Sequence, residues 1–384
     1  MANCVLPEDV MLCILTRLPV KTILRFKSVC KPWCNLFSTP EFRKLHHGQF
    51  SRDPKNQSFI LHSFRKFSNP VNKFSIFSIE SNKKKPTIVD HPFAHTQNIE
   101  LDTLGCCSGL VCLRIGQDIV LWNPAMKLSK NVPIKACGPL EIVSLGFGYD
   151  AAGDDFKVVK IIGKKRDIED QLGMSVTSVE IYSVSLDSWI AINVGFQFSE
   201  FRDKNVLIVS GNPYWFACVD GNLVLVCFDV MELVFKIVPT INCGLDEEKK
   251  TLIHLVDWNG ALGSVSYFNK SAIVENLGLN CFTHCARFNS LCVWVFDVGE
   301  RVWRKIHIFG PTEKVDVFRV FLCTKNEKVL GAFSSGTLFV LDLETGCVNN
   351  LFDGVCNGES FYVYGYTESL TYIKGMTKVI DGKN

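Results

Sequence analysis

The chain carries 384 residues, with 41 basic against 39 acidic side chains, a net charge of +2 and 47% apolar residues. That is length enough for a small module beside a large one, and the charge balance lacks the electrostatic footprint of a nucleic-acid binder. No run approaches the eighteen or so apolar residues of a membrane span.

No basic stretch followed by an apolar one opens the chain, so a protein of the cytoplasm or nucleus is expected. In that setting the 17 cysteines, scattered at irregular spacing, read as buried thiols and not as a disulfide framework. The basic runs Lys83-Lys84-Lys85, Lys164-Lys165-Arg166 and Lys249-Lys250 read as solvated loop tips.

Leu6-Pro7-Glu8-Asp9-Val10 opens a first helix. Proline suits a helix start because its missing N–H has no intrahelical partner there, and Glu8 and Asp9 sit at the positive end of the helix dipole. Val10, Met11, Ile14, Leu15 and Leu18 recur at three- and four-residue spacing and make one apolar face, until Pro19 stops it. In a second helix Ile23, Leu24, Phe26, Val29 and Cys30 spread apolar side chains around most of the surface. Pro32 starts a third with Trp33, Leu36 and Phe37, and Thr39-Pro40-Glu41 marks a fourth with Phe42 and Leu45 on its face. Cys30 and Cys34, a helical turn apart, fit core packing. A unit of about forty residues hides too little surface to be stable alone. These helices therefore need the rest of the chain or a partner.

Leu6-Pro7 with Asp9, Ile14, Arg17-Leu18-Pro19-Val20-Lys21, Leu24-Arg25-Phe26-Lys27 and Val29-Cys30-Lys31 with Trp33 resemble, in order and spacing, the plant form of the F-box. The resemblance implies that Leu6, Pro7, Ile14, Leu18, Leu24, Val29, Cys30 and Trp33 pack against a Skp1-like adaptor or support that packing. Through the adaptor it implies a cullin-RING ubiquitin ligase. On this reading another polypeptide, and not the chain's own C-terminal body, completes the helices.

After Leu45 a polar junction follows, and from Ser58 apolar runs are cut by Gly, Asn and Asp. Phe156 to Ile161, Val179 to Tyr182, Asn222 to Val226 and Leu291 to Phe296 read as strands. A small unit recurs: an aromatic or apolar residue, then Asn, Ser or Asp, then a polar turn. Copies are Phe77-Ser78, Trp122-Asn123, Tyr182-Ser183, Phe228-Asp229, Phe296-Asp297 and Leu341-Asp342. In the last four, the residue seven further on is again apolar (Trp189, Phe235, Trp303, Val348), as in a hairpin with both residues on one face. Ser108-Gly109, Asp220-Gly221, Asn259-Gly260 and Ser335-Gly336 signal further hairpins. The anchors lie near the length of a propeller blade apart.

Cys107-Ser108-Gly109-Leu110-Val111, Leu121-Trp122-Asn123-Pro124-Ala125, Gly146-Phe147-Gly148-Tyr149-Asp150 and Asp155-Phe156-Lys157-Val158-Val159 resemble the F-box-associated, kelch-like domain of plant proteins. No Gly-Gly pair of the typical kelch repeat is present. The expected fold class is an α+β multidomain chain: an all-α F-box over 1–47, an all-β, kelch-type propeller-like domain of six or seven blades over 48–375, and a tail over 376–384. Ser58 to Phe64 is expected to pair with strands near Ser360 to Lys374, because a ring must join its ends to avoid open edges.

Cys281-Phe282-Thr283-His284-Cys285 offers two thiols and an imidazole, but zinc needs a second ligand pair, and no metal or other cofactor is expected. No nucleotide or nucleophile fingerprint occurs. His62, His91, His95, His254 and His307 read as hydrogen-bonded structural residues. The expected role is a non-catalytic adaptor subunit holding an unknown target protein on propeller loops, with Ile162 to Ser178, Ser199 to Asn212 and Asn269 to Asn289 as the contact stretches. A Skp1-binding protein acting outside a ligase and a kelch-like enzyme of the oxidase type are the alternatives.

Overall fold

The computed structural model describes residues 7–65, 71–80, 86–93, 101–116, 118–134, 140–165, 174–194, 198–201, 206–219, 222–241, 252–268, 290–309, 317–324, 326–333, 335–352 and 360–379. The chain forms two compact units, Met1–Pro133 with Ser360–Asn384, and Ile134–Glu359.

The first unit opens with helices α1 (Glu8–Leu15), α2 (Val20–Phe26), α3 (Lys31–Leu36) and α4 (Pro40–Phe50). Proline 7 and Pro19 sit at the N-caps of α1 and α2. Thr39 caps α4 as its sequence predicts, its hydroxyl accepting from the Phe42 N–H at 3.2 Å with Pro40 just inside. Strands follow: β1 (Ser58–Arg65), β2 (Val71–Phe77), β3 (Thr87–Val89), β4 (Leu101–Cys107), β5 (Leu110–Ile115), β6 (Asp118–Asn123) and β7 (Leu128–Val132).

The second unit holds β8 (Glu141–Asp150), β9 (Asp155–Lys165), β10 (Met174–Ser183), β11 (Ser188–Ile192), β12 (Phe198–Phe201), β13 (Leu207–Val209), β14 (Asn212–Val219), β15 (Asn222–Asp229) and β16 (Val234–Val238). It continues with β17 (Leu252–Trp258), β18 (Ala261–Phe268), β19 (Ser290–Asp297), β20 (Val302–Phe309), β21 (Val317–Cys323), β22 (Lys328–Phe333), β23 (Leu338–Asp342) and β24 (Val348–Phe352). The chain then returns to the first unit as β25 (Ser360–Tyr366) and β26 (Thr377–Lys378), the latter inside the stretch expected as a tail.

Pairing gives the sheets β25-β1-β2-β3 and β26-β7-β6-β5-β4 in the first unit. The second has β11-β10-β9-β8, β12-β14-β15-β16 with β13 also on β14, and an eight-stranded sheet from β20 to β24. Among the described residues, Asp257 pairs with Leu322 and Trp258 with Cys323, in parallel, and the Asn259 N–H donates to the Cys323 carbonyl at 3.2 Å to join the halves of that last sheet. Among the described residues the strands thus fall into six antiparallel meanders, the propeller-like part of the molecule. β1 pairs with β25, Ser58 opposite Tyr366 and Phe64 opposite Ser360, as the need to hide strand edges predicts.

The recurring unit is a hairpin. Tyr182 faces Trp189, Phe228 faces Phe235, Phe296 faces Trp303 and Leu341 faces Val348 directly across the strands. In the three aromatic pairs the ring centroids lie 5.4, 5.0 and 5.3 Å apart, an attractive separation. The polar residue behind each anchor captures the turn's N–H groups: Asp229 Oδ1 accepts from Met231 and Glu232, Asp297 Oδ1 from Glu300, and Asp342 Oδ1 from Glu344 and Thr345. Five residues past each anchor the backbone turns left-handed, at Lys127, Asp187, Leu233, Arg301 and Gly346. For Phe77-Ser78 residues 81–85, where the turn would lie, are outside the described residues.

A further copy escaped the sequence reading. Tyr149 faces Phe156, Asp150 Oδ1 accepts from Ala152 and Gly153, and Asp154 is left-handed. Two-residue turns form at Ser108-Gly109 and Asn259-Gly260, both residues at positive φ. Ser210-Gly211 makes a third that was not foreseen, while Asp220-Gly221 lies outside the described residues. Glycine 211 also holds two sheets together. Its carbonyl accepts from the Tyr149 N–H at 3.0 Å, and a Cβ on Gly148 would stand 2.3 Å from that oxygen.

Candidate docking face of the helices

Helices α1 to α4 close over Leu15, Val20, Ile23, Phe37 and Phe42, all buried. Trp33 stacks obliquely between Phe26 and Phe37, at 5.3 and 6.0 Å. His46, fully buried, has its Nε2 2.8 Å from the Leu18 carbonyl, and its ring lies flat on Phe50. Burial lowers the His46 pKa, and the bond to Leu18 raises it by less, so the ring is neutral and Nε2 is the donor.

The one apolar stripe read along α1 divides in two. Leu15 points into the core, Met11, Leu12 and Leu18 are half-buried, and Val10 and Ile14 face outward at 44% and 48% exposure. Those two are a helical turn apart, on the same side. Val29 is 63% exposed, and Cys30 beside it is exposed as well.

Of the eight residues expected at the adaptor, Leu6 lies outside the described residues. Pro7, Ile14, Val29 and Cys30 are exposed, and Leu18, Leu24 and Trp33 are half-buried where they brace the rest. Val10 belongs with the outward set, and its i, i+4 spacing to Ile14 was the signal for it. The expectation of buried thiols holds for Cys112, Cys218, Cys227, Cys292 and Cys323 and fails for Cys13, Cys30, Cys34 and Cys347, which are exposed; in α3 the Cys34 side faces solvent while Phe37 fills the core.

Lys27 lies near Arg43, and burial first, then that like charge, lowers its pKa.

Other candidates resolve as structure. His62 contacts Asn72 Oδ1 at 3.1 Å and the Thr103 hydroxyl at 3.0 Å, and it stacks on Phe74. His91 Nε2 lies 3.3 Å from the Asn72 carbonyl. Burial, assisted by Arg319, pushes His254 down to about 3. Among the described residues no group of three or more His, Cys, Asp or Glu could hold a metal ion, and no helix is long and apolar enough to cross a membrane. His95, the Cys281 to Cys285 cluster and all of Asn269 to Asn289 lie outside the described residues. So do 166–173 and 202–205, within the other two stretches expected to meet a target.

An F-box domain profile matches residues 4–45, and the profile of the F-box associated beta propeller domain matches residues 60–340. The chain belongs to the F-box proteins with an F-box-associated β-propeller.

Similar curated proteins are F-box proteins of Arabidopsis thaliana. One is 25% identical over 60% of this chain and 59% of its own length. A putative F-box/kelch-repeat protein is 29% identical over 58% and 56%, and another F-box/kelch-repeat protein is 26% identical over 68% and 72%. The chain thus spans a little under three-fifths of the length of the first and second of these. Among solved structures, an oligogalacturonate lyase in complex with manganese aligns at a TM-score of 0.43, with 10% identity over 79% of this chain and 75% of that one. That likeness is too slight to bear on function. Within the F-box, residues 4–45 include every residue of the outward face.

Proposed function

We propose that this F-box protein is the substrate-recognition subunit of a Skp1-cullin-F-box ubiquitin ligase. The exposed face of α1 and the α2–α3 junction receives a Skp1-like adaptor, the adaptor brings the cullin, and the β-rich part holds a target protein on its loops. The chain makes and breaks no bond itself. It raises the effective concentration of a target lysine near the charged ubiquitin-conjugating enzyme, in the cytoplasm or nucleus.

One observation carries the reading. A helical module whose core is already filled still presents Val10, Ile14, Val29 and Cys30 to solvent, where a monomeric surface usually carries polar side chains.

Affinity purification of the tagged full chain from plant cells tests it. Recovery of a Skp1-like adaptor together with a cullin, both lost in an Ile14→Glu/Val29→Glu variant, is the expected result. Absence of the adaptor from the wild-type purification refutes the proposal, and adaptor without cullin refutes its ligase half.

A further inference from the structure

The F-box core is not made by the F-box alone: against the expectation that another polypeptide completes the helices, the chain's own later segments do so. Leu370, more than three hundred positions from the helices, is only 1% exposed and belongs to the same buried cluster as Leu15, Val20, Ile23, Phe37 and Phe42. Ala125 and Met126, from the β6–β7 turn, line that cluster as well. The segment that carries Leu370 runs from the end of β25 to β26 and lies beyond both matched stretches.

This segment is tied down along its length. Asn123 Nδ2 donates to the Ser369 and Thr371 carbonyls at 3.1 and 2.9 Å. The Ser369 and Thr371 hydroxyls both donate to the Ser108 carbonyl, at 3.0 and 3.2 Å. Gly109 has no room for a side chain, since a Cβ there would stand 2.2 Å from the Ser369 hydroxyl. At the far end the Val379 N–H reaches the Lys127 carbonyl at 2.9 Å, and Val379 is buried with Trp122.

Toward the helices the same segment makes polar contacts. Glu368, whose pKa burial raises, accepts from the Val20 backbone and is drawn down by Lys21. The Arg43 guanidinium lies over the Tyr372 ring at 5.3 Å. The residue that anchors the strap, Asn123, is the polar member of the Trp122-Asn123 hairpin, and its Oδ1 still accepts from Met126. One side chain therefore serves the hairpin turn and the strap together.

We infer that residues 367–379 are a positioning strap: they complete the F-box core and fix the F-box to the first β-sheets, so that adaptor capture depends on a segment that is no part of the docking face. The inference rests on the proposed function for its adaptor half only. A buried leucine wedged between helices and sheet holds their relative orientation because a packed core cannot deform smoothly. An adaptor seated on α1 is then held in a set direction from the β-sheets of the first unit.

The test uses the full chain and two measurements, amide hydrogen exchange of peptides from α2 and α4, and binding of a purified Skp1-like adaptor. With Leu370→Asp, exchange in both helices is expected to rise by at least about tenfold, adaptor binding to fall by a similar factor, and β9–β10 exchange to stay as in the wild type. Leu370→Met, which conserves volume, restores both. Tyr372→Ala, at a half-exposed site, removes the Arg43 contact and is expected to raise exchange in α4 about two- to fivefold.

Unchanged protection of α2 and α4 in Leu370→Asp overturns the strap. Loss of β9–β10 protection along with the helices overturns it too, because the effect is then global unfolding. If the wild-type chain binds no adaptor, the functional reading fails, and the exchange data alone decide the strap.

Discussion

Replacing Ile14 and Val29 together with alanine separates docking from folding. Full burial of such a side chain is worth about 1.5–3 kcal/mol. Ile14 and Val29 leave 48% and 63% of their surface in solvent, so about half of that value remains for a partner to collect at each. The pair then contributes about 1.5–3 kcal/mol to the adaptor complex, a loss of about ten- to 150-fold in affinity when both are truncated. The free protein should hardly notice. Exposed substitutions change stability by about 0.5 kcal/mol at most, and alanine in α1 returns a few tenths through helix propensity. Titration calorimetry of the variant against a purified Skp1-like adaptor, beside a thermal melt, reads both quantities. Leu15→Ala, one residue along and buried, is the control: it should cost about 2–5 kcal/mol of stability. A double variant whose affinity stays within threefold of the wild type refutes the assignment of this face.

Three further outcomes are expected. Gly148→Ala should lose about 1–3 kcal/mol because its new methyl meets the Gly211 carbonyl, whereas Gly48→Ala, with nothing within 4 Å in α4, should gain about 0.5–1 kcal/mol; a thermal melt showing equal shifts for the two contradicts the packing described. The His46 pKa is lowered by burial, so the unfolded chain takes the proton first and the helices lose stability as pH falls below the ordinary value of 6.5. The protection factor of α4 amides, observed exchange divided into the intrinsic rate at each pH, should then fall between pH 7.5 and 5.5 in the wild type and stay level in His46→Phe, and equal pH dependence in the two would refute this. Burial works against the Asp229 charge, but Lys236 at 2.7 Å and the turn N–H groups outweigh it and hold its pKa below the usual range. Its stabilisation is thus complete above the ordinary carboxylate value and lost as acid reaches the folded one; Asp229→Ala should cost about 1–2 kcal/mol at neutral pH and flatten the acid limb of stability against pH.

The hairpins were legible because their signal is local. An aromatic residue, an acceptor behind it and an apolar residue seven on are set by the geometry of a single turn, so Phe228-Asp229 with Phe235 can be read from eight consecutive letters. Tyr149-Asp150 with Phe156 obeys the same rule, but those residues entered only through the resemblance to the F-box-associated domain and not as a copy of the hairpin. In the structure Gly148 is small because the Gly211 carbonyl lies against it. The β1–β25 pairing was foreseen from a global constraint, the need to leave no open edge. The helices were legible as helices, but the division of α1 into an inward Leu15 and an outward Ile14 was not, because periodicity counts apolar residues without saying what covers each. Leu370 had no local sign at all. In Glu368-Ser369-Leu370-Thr371-Tyr372 it looks like any loop leucine, and only the fold carries it into a core assembled at the other end of the chain.

Pairing of β1 with β25 has a temporal side. A ribosome delivers Ser58 to Arg65 long before Ser360 to Tyr366, so the second strand of the chain's first sheet edge waits through nearly the whole of synthesis for its mate. Closing a loop of that span adds entropy cost only slowly with length, yet it postpones the contact and slows folding. A nascent or prematurely terminated product leaves β1 paired with β2 but open along its other edge, the kind of edge that chaperones and proteases recognise. Completion of translation is therefore itself a checkpoint on the first sheet.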